Sequence, residues 1–294
     1  MPPNPPAPAI VLADPPRADA ALEVVGPYRL QRLLGRGASA TVHLAFDTRS
    51  GRPVALKMLS PPGEFDGGDF SEARARFLRE VETARRLSHR HIVRVYDAGD
   101  DGTRLWMAMQ LLSGTTLARY THLSRLLPQP VVGELGEGLA RALAHAHGLG
   151  VVHRDIKPGN VMFDLPTRRL KLTDFGIAGL ADFSRTRTGI VLGTPLYMAP
   201  EQLAGAAPDA RCDIYSLGVL LFQLLSGRLP HESASLGELL RQVARDPAPD
   251  VRLLRDDVPA ALAAVVARAL KKNAAERFVD ARDMADALAA CTVG

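Results

Sequence analysis

The chain has 294 residues, 47% of them hydrophobic and 23% charged, a profile that suits a globular protein long enough for one large domain or two compact units. A formal net charge of +4 comes from lysines and arginines interspersed with acidic residues, which argues against a nucleic-acid surface. Two cysteines, Cys212 and Cys291, are too few for a disulfide scaffold and suit a reducing compartment such as the cytoplasm, and no run of about 18 or more apolar residues is present to cross a bilayer.

In chain order, residues 1–26 are rich in proline and carry no basic-then-apolar secretory signal, so they read as a disordered arm. Short strands are predicted at Tyr28–Leu34, Thr41–Phe46 and Val54–Leu59. Between the first two lies Gly35-Arg36-Gly37-Ala38-Ser39-Ala40, whose glycines would let backbone N–H groups approach a phosphate; a plain hairpin turn explains them equally well. Lys57 sits in the alternating strand segment Val54-Ala55-Leu56-Lys57.

Apolar residues at helical spacing, from Phe70 through Phe77, Val81 and Ala84 to Leu87, predict a helix over Phe70–Ser88. On it Glu82, with Arg79, Arg85 and Arg86 as helical neighbours, reads as a solvated surface pair. Glu80 falls on the apolar side, where a carboxylate needs a partner, and Lys57 is the candidate. Ile92–Tyr96 and Arg104–Met109 read as two further strands, followed by the connector Gln110-Leu111-Leu112. From Ser113 the chain turns helical, with Val132, Leu135, Leu139, Leu143 and Ala146 in step up to Gly148. His89, His91, His145 and His147 read as structural rather than metal-binding.

The stretch Val151–Gly176 is the chemical centre. Asp155, Lys157, Asn160 and Asp174 stand among apolar residues, and Leu170-Lys171-Leu172-Thr173 alternates as a short half-buried strand does. A loop, a hairpin and then an Asp would gather two carboxylates and an amide into an oxygen-rich site of the kind that hard divalent cations prefer.

His153-Arg154-Asp155-Ile156-Lys157-Pro158-Gly159-Asn160 followed by Asp174-Phe175-Gly176 resembles the catalytic core of eukaryotic-like (Hanks-type) serine/threonine protein kinases, in their bacterial branch. Ala199-Pro200-Glu201, Asp213 and Arg277 follow in the order that family shows, so the resemblance runs from about Tyr28 to Ala290. It implies an α+β, two-lobed kinase fold: a small, mostly β N-lobe with one helix (27–109), a hinge (110–112) and a larger, mostly α C-lobe (113–290).

The resemblance also implies transfer of the ATP γ-phosphoryl group to Ser or Thr of protein substrates, with Mg2+ (or Mn2+), and autophosphorylation in trans. Asp155 would orient the hydroxyl and Lys157 would neutralise the moving phosphoryl. Asn160 and Asp174 would hold metal. Lys57, fixed by Glu80, would grip the α and β phosphates under the loop Gly35, Arg36, Gly37, Ala38 and Ser39. Val42 and Ala55 would cover the adenine, and Met109, Gln110 and Leu112 would meet it at the hinge. Ala40 replaces the third glycine of the loop, and Gly159 stands where many basic-directed kinases carry Glu, which implies weak selection for arginine upstream of the target. In the long segment Ile177–Pro200, Thr186 and Thr188 would take a phosphate that pairs with Arg154, and Thr194 would bond near Asp155 and favour Ser/Thr substrates.

Farther on, Asp213–Phe222 is apolar nearly all round and reads as a buried helix, with Asp213 capping its start and, by the resemblance, bracing the catalytic loop. Helices are predicted at Leu236–Ala244, Ala260–Leu270 and Ala281–Ala290, and Arg277 would pair with Glu201. A catalytically dead scaffold of the same fold is the competing reading, and none of the family's usual catalytic residues is missing to support it.

Overall fold

The structure is a computed structural model that describes residues 23–37, 40–59, 70–101, 104–175, 195–205 and 209–292. Most of the proline arm, Ala38, Ser39, Gly176 and the segment holding Thr186, Thr188 and Thr194 lie outside the described residues, as does the side chain of Glu80. Contacts divide the chain into two compact units. Among the described residues the first comprises 23–88 and 93–115, and the second 89–92 and everything from 116 onward.

The first unit is a six-stranded sheet with one helix. Its strands are β1 (Val24–Val25), β2 (Tyr28–Arg36), β3 (Ala40–Asp47), β4 (Pro53–Leu59), β5 (Val95–Asp100) and β6 (Leu105–Gln110), in the spatial order β1-β2-β3-β4-β6-β5. Every pairing is antiparallel. Alternation along the strands sends Leu30, Ala45, Val54, Leu56, Met58, Trp106 and Ala108 into one apolar cluster. Helix α1 (Phe70–Arg86) buries Phe77, Val81 and Ala84, as its spacing predicts. Glu82 is exposed as expected, but among the described residues it forms no ion pair; Arg79 instead donates to the Ala75 carbonyl.

The predicted strand Ile92–Tyr96 is divided. Ile92 makes an isolated parallel bridge with Leu172 in the second unit, and the ladder strand begins only at Val95 and runs on to Asp100. One apolar run thus serves two cores, which periodicity cannot reveal.

The second unit is mostly helical. Two short turns, Leu117–Tyr120 and Leu123–Arg125, precede helix α2 (Gln129–Gly148), so the helix starts later than Ser113, where Pro128 and Pro130 set its first turn. Strands β7 (Val161–Asp164) and β8 (Arg169–Leu172) form the expected hairpin, with Leu170 and Leu172 buried and Arg169 exposed. Helices α3 (Pro200–Leu203), α4 (Arg211–Ser226), α5 (Leu236–Arg245), α6 (Ala260–Ala269) and α7 (Ala281–Thr292) complete it. Almost all of α4 is buried, which its apolar circumference requires.

Asp213 does not cap α4. Ala210 occupies the cap position, and Asp213 lies inside the first turn with its carboxylate directed to a distant loop. Among the described residues no helix is long and apolar enough to cross a membrane.

Candidate active site

The first unit presents one sheet face as a candidate ligand surface. Lys57 lies directly opposite Val42, Val42 opposite Gly35, and Ala55 opposite Met109. Directly paired residues share a face, and Ala55 and Lys57 are two apart on one strand. Gly35, Val42, Ala55, Lys57 and Met109 therefore form one row on the face opposite Val54, Leu56 and Met58, which fill the core. Gln110 donates its backbone N–H to the Arg94 carbonyl, so that N–H is not available to a ligand, and Leu112 lies beyond the last strand.

In the second unit the loop after α2 is held by Asp213, which is fully buried. Its Oδ2 accepts from the His153 N–H (2.8 Å) and from His147 Nε2 (2.8 Å), and its Oδ1 accepts from the Arg154 N–H (2.7 Å). Arg154 adopts a left-handed conformation, φ 66°. A residue with a Cβ stays there only when its surroundings demand it. Here Asp213 takes its N–H, and Gln202 Nε2 donates to its carbonyl while Gln202 Oε1 accepts from the Ala199 N–H. Cys212, beside Asp213, is inert: burial and the neighbouring carboxylate push its thiol far up.

His153, also fully buried, joins this loop to the end of the hairpin. Its Nδ1 accepts from the Asp155 N–H (3.2 Å) and its Nε2 meets the Thr173 carbonyl (2.9 Å). Those partners require the tautomer with hydrogen on Nε2. The Phe175 ring packs edge-on against it, centroids 4.6 Å apart. Thr173 in turn donates both its N–H (2.9 Å) and its hydroxyl (3.0 Å) to the Asn160 carbonyl. Asp174 follows directly, and it too is left-handed, φ 61°.

Three of the predicted polar residues are in contact. Lys157 Nζ lies 3.0 Å from Asp155 Oδ1 and 2.7 Å from Oδ2. Asn160 Nδ2 donates to the Asp155 carbonyl and to its Oδ2, each at 2.8 Å. A carboxylate has about four acceptor positions, so Asp155 retains capacity for a hydroxyl. With its amide nitrogen engaged, Asn160 has its side-chain oxygen left to ligate a cation, and the Thr173 bonds put Asp174 next in line. Among the described residues no cluster of three or more His, Cys, Asp or Glu could hold a metal by itself. The donor set Asn160 and Asp174 is oxygen-only and fits a hard divalent ion that completes its shell with phosphate and water oxygens.

Beneath this loop Arg277 is buried and bonded at every donor. Nη1 and Nη2 meet Glu201 at 2.7 and 2.8 Å, and the remaining N–H groups reach the carbonyls of Arg211, Lys271 and Lys272. The predicted Glu201 pair is present. His147 is structural, as expected, through its bond to Asp213. Sequence reasoning gave His153 no role of its own, although it opens the motif that contains Asp155 and here joins that loop to Thr173.

A family profile described as the protein kinase domain matches residues 28–286. Serine/threonine-protein kinase PknD of Mycobacterium tuberculosis is 42% identical over 263 residues, 88% of this chain and 39% of that protein. PrkC of Bacillus subtilis is 35% identical over 89% of this chain and 40% of its own length. The chain thus spans less than half of these curated relatives. The crystal structure of the Mycobacterium tuberculosis PknI kinase domain superposes with a TM-score of 0.73 at 33% identity, covering 93% of this chain and 99% of that one.

Proposed function

Because this chain belongs to the protein kinase domain family, we propose that it transfers the γ-phosphoryl group of ATP to serine and threonine hydroxyls of protein substrates, itself included. The observation that carries the reading is the Asp155 carboxylate, held at once by Lys157 and Asn160 on a loop anchored by a fully buried Asp213. Phosphoryl transfer needs little covalent help and much positioning and charge neutralisation, which is what this arrangement supplies.

In this reading Asp155 orients the attacking hydroxyl and accepts its proton. Lys157 places its ammonium against the phosphoryl in transit. Asn160 and Asp174 would hold the divalent ion, magnesium in preference to manganese. When bound, that ion would neutralise phosphate charge. The sheet row of Gly35, Val42, Ala55, Lys57 and Met109 would carry the nucleotide, with Arg36, Gly37, Ala38 and Ser39 at its phosphates and Gln110 and Leu112 at the adenine. Glu80 would fix Lys57. A phosphate on Thr186 or Thr188 would pair with Arg154, and Thr194 would steer the choice of acceptor. Gly159 itself offers no carboxylate to an upstream arginine, and among the described residues nothing stands where its side chain would be. The kinase domain would run from 27 to 290, behind a proline-rich arm, and ATP places the reaction in the cytoplasm.

The test is autophosphorylation of the full chain with Mg-ATP, read by mass spectrometry, with Asp155→Asn beside the wild type. General-base loss should lower the rate by about 10²–10⁴-fold. Equal phosphate in the two proteins would instead support a catalytically dead scaffold.

A further inference from the structure

The first unit has a second candidate binding site, on the sheet face opposite the row that includes Lys57. It is a cavity of ≈ 460 Å³ whose walls include Arg49, Arg52, Arg85, Tyr96, Asp47 and Asp97. Its floor is the edge of the apolar core, since Val54 also lines it and Tyr96 packs on that cluster.

The charges in it are unevenly matched. Arg49 is bound to both carboxylates, Nε to Asp47 at 3.0 Å and Nη2 to Asp97 at 3.2 Å, and it also reaches the Tyr28 hydroxyl. That leaves Arg52 and Arg85. Both are exposed, and among the described residues neither forms an ion pair. The Arg52 guanidinium lies over the Tyr96 ring, 5.2 Å from its centroid. Arg85 comes from the last turn of α1. Two unmatched guanidinium groups from separate elements therefore meet at one cavity beside an aromatic wall.

We propose that this cavity binds a phosphate monoester, its dianionic phosphate clamped between Arg52 and Arg85 and its organic group laid along Tyr96. A planar guanidinium fork matches phosphate oxygens, and two forks match a double negative charge better than the single charge of a carboxylate. The volume exceeds what a bare phosphate fills and leaves room for the esterified group. Arg49 offsets one of the two charges of Asp47 and Asp97, and with Arg52 and Arg85 the cavity lining remains net positive. A bound monoester would tie the end of α1, the helix that carries Glu80, to the connection between β3 and β4. The binding itself does not depend on the catalytic reading.

The test is calorimetric titration of the full chain at low salt with two probes, phenyl phosphate and a short phosphoserine peptide of otherwise uncharged sequence. Binding of both with similar affinity assigns the site to the phosphate ester alone. Tighter binding of the peptide identifies a phosphorylated protein segment as the source, and tighter binding of phenyl phosphate a small metabolite. The double variant Arg52→Ala/Arg85→Ala should lose at least about tenfold in affinity with its unfolding midpoint unchanged. Phenylglyoxal labelling supplies a second readout on the unaltered protein: phenyl phosphate should protect Arg52 and Arg85 but not Arg94. Undiminished binding by the double variant, absence of binding by the wild type, or absence of selective protection would each overturn the proposal.

Discussion

Replacing Asp213 by Asn tests the account of the catalytic loop most directly. The carboxylate is fully buried and takes three donors, one on Oδ1 and two on Oδ2. An amide has only one acceptor atom. Its best orientation puts the oxygen at the Oδ2 position, facing His153 and His147, and turns the NH2 group on the Arg154 N–H. That removes one charge-assisted hydrogen bond, about 1.5–3 kcal/mol, and leaves a buried donor facing a donor, about 1–3 kcal/mol more. The two surviving bonds also weaken, because their acceptor is now neutral. The sum is about 2.5–6 kcal/mol, a range that includes the cost of breaking a buried ion pair. Urea unfolding should show the midpoint lowered with an unchanged slope. Autophosphorylation of the folded variant should slow by at least about tenfold, because Asp155 follows Arg154 and inherits its displacement. A variant with wild-type midpoint and wild-type rate would refute the claim that this carboxylate positions the loop.

Other perturbations follow from the same structure. Arg277→Ala abandons five bonded donor hydrogens around Glu201 and three carbonyls, so the thermal midpoint should fall by about 10 °C; a fall of under about 2 °C would show that the pair contributes nothing net. His231 is buried, and burial together with the Lys272 ammonium 2.9 Å away holds its pKa down at about 4. Unfolded, it titrates near 6.5, so the unfolded state takes up its proton first as pH falls. The contribution is therefore complete above pH ~6.5 and is lost on going down to pH ~4, by about 3 kcal/mol. Comparing urea midpoints at pH 7 and 4.5 for wild type and His231→Gln should show the shallower dependence in the variant; equal dependence would remove His231 from the account. Gly99→Ala would put a Cβ 2.5 Å from the ring of Trp106, the only tryptophan. It should destabilise the first unit by about 1–3 kcal/mol and change the tryptophan emission, and no change in either would mean that the ring shifts freely.

Most strands and helices were legible because their apolar residues recur at strand or helix spacing. Val54, Leu56 and Met58 enter one core cluster while Lys57 between them is only half-buried, and Phe77, Val81 and Ala84 recur at helical spacing and are buried. The candidate site was legible for a different reason: its chemistry needs particular residue types at short spacings, and Asp155, Lys157 and Asn160 lie within one loop. Ile92 was misplaced because apolarity says that a residue is buried but not in which core.

The amino-acid order alone determined most of the elements, the loop that carries Asp155 and the family. The resemblance implied that Asp213 braces that loop, and tertiary structure alone decided through which bonds it does so. Asp213 reads as a helix cap because a carboxylate near a helix start usually meets its own backbone, yet its partners His153 and Arg154 are 60 and 59 residues earlier in the chain. The same holds for His147 on Asp213 and for His153 on Thr173. Hydrogen bonds of this reach are set by where whole helices and strands pack, and no local spacing encodes them.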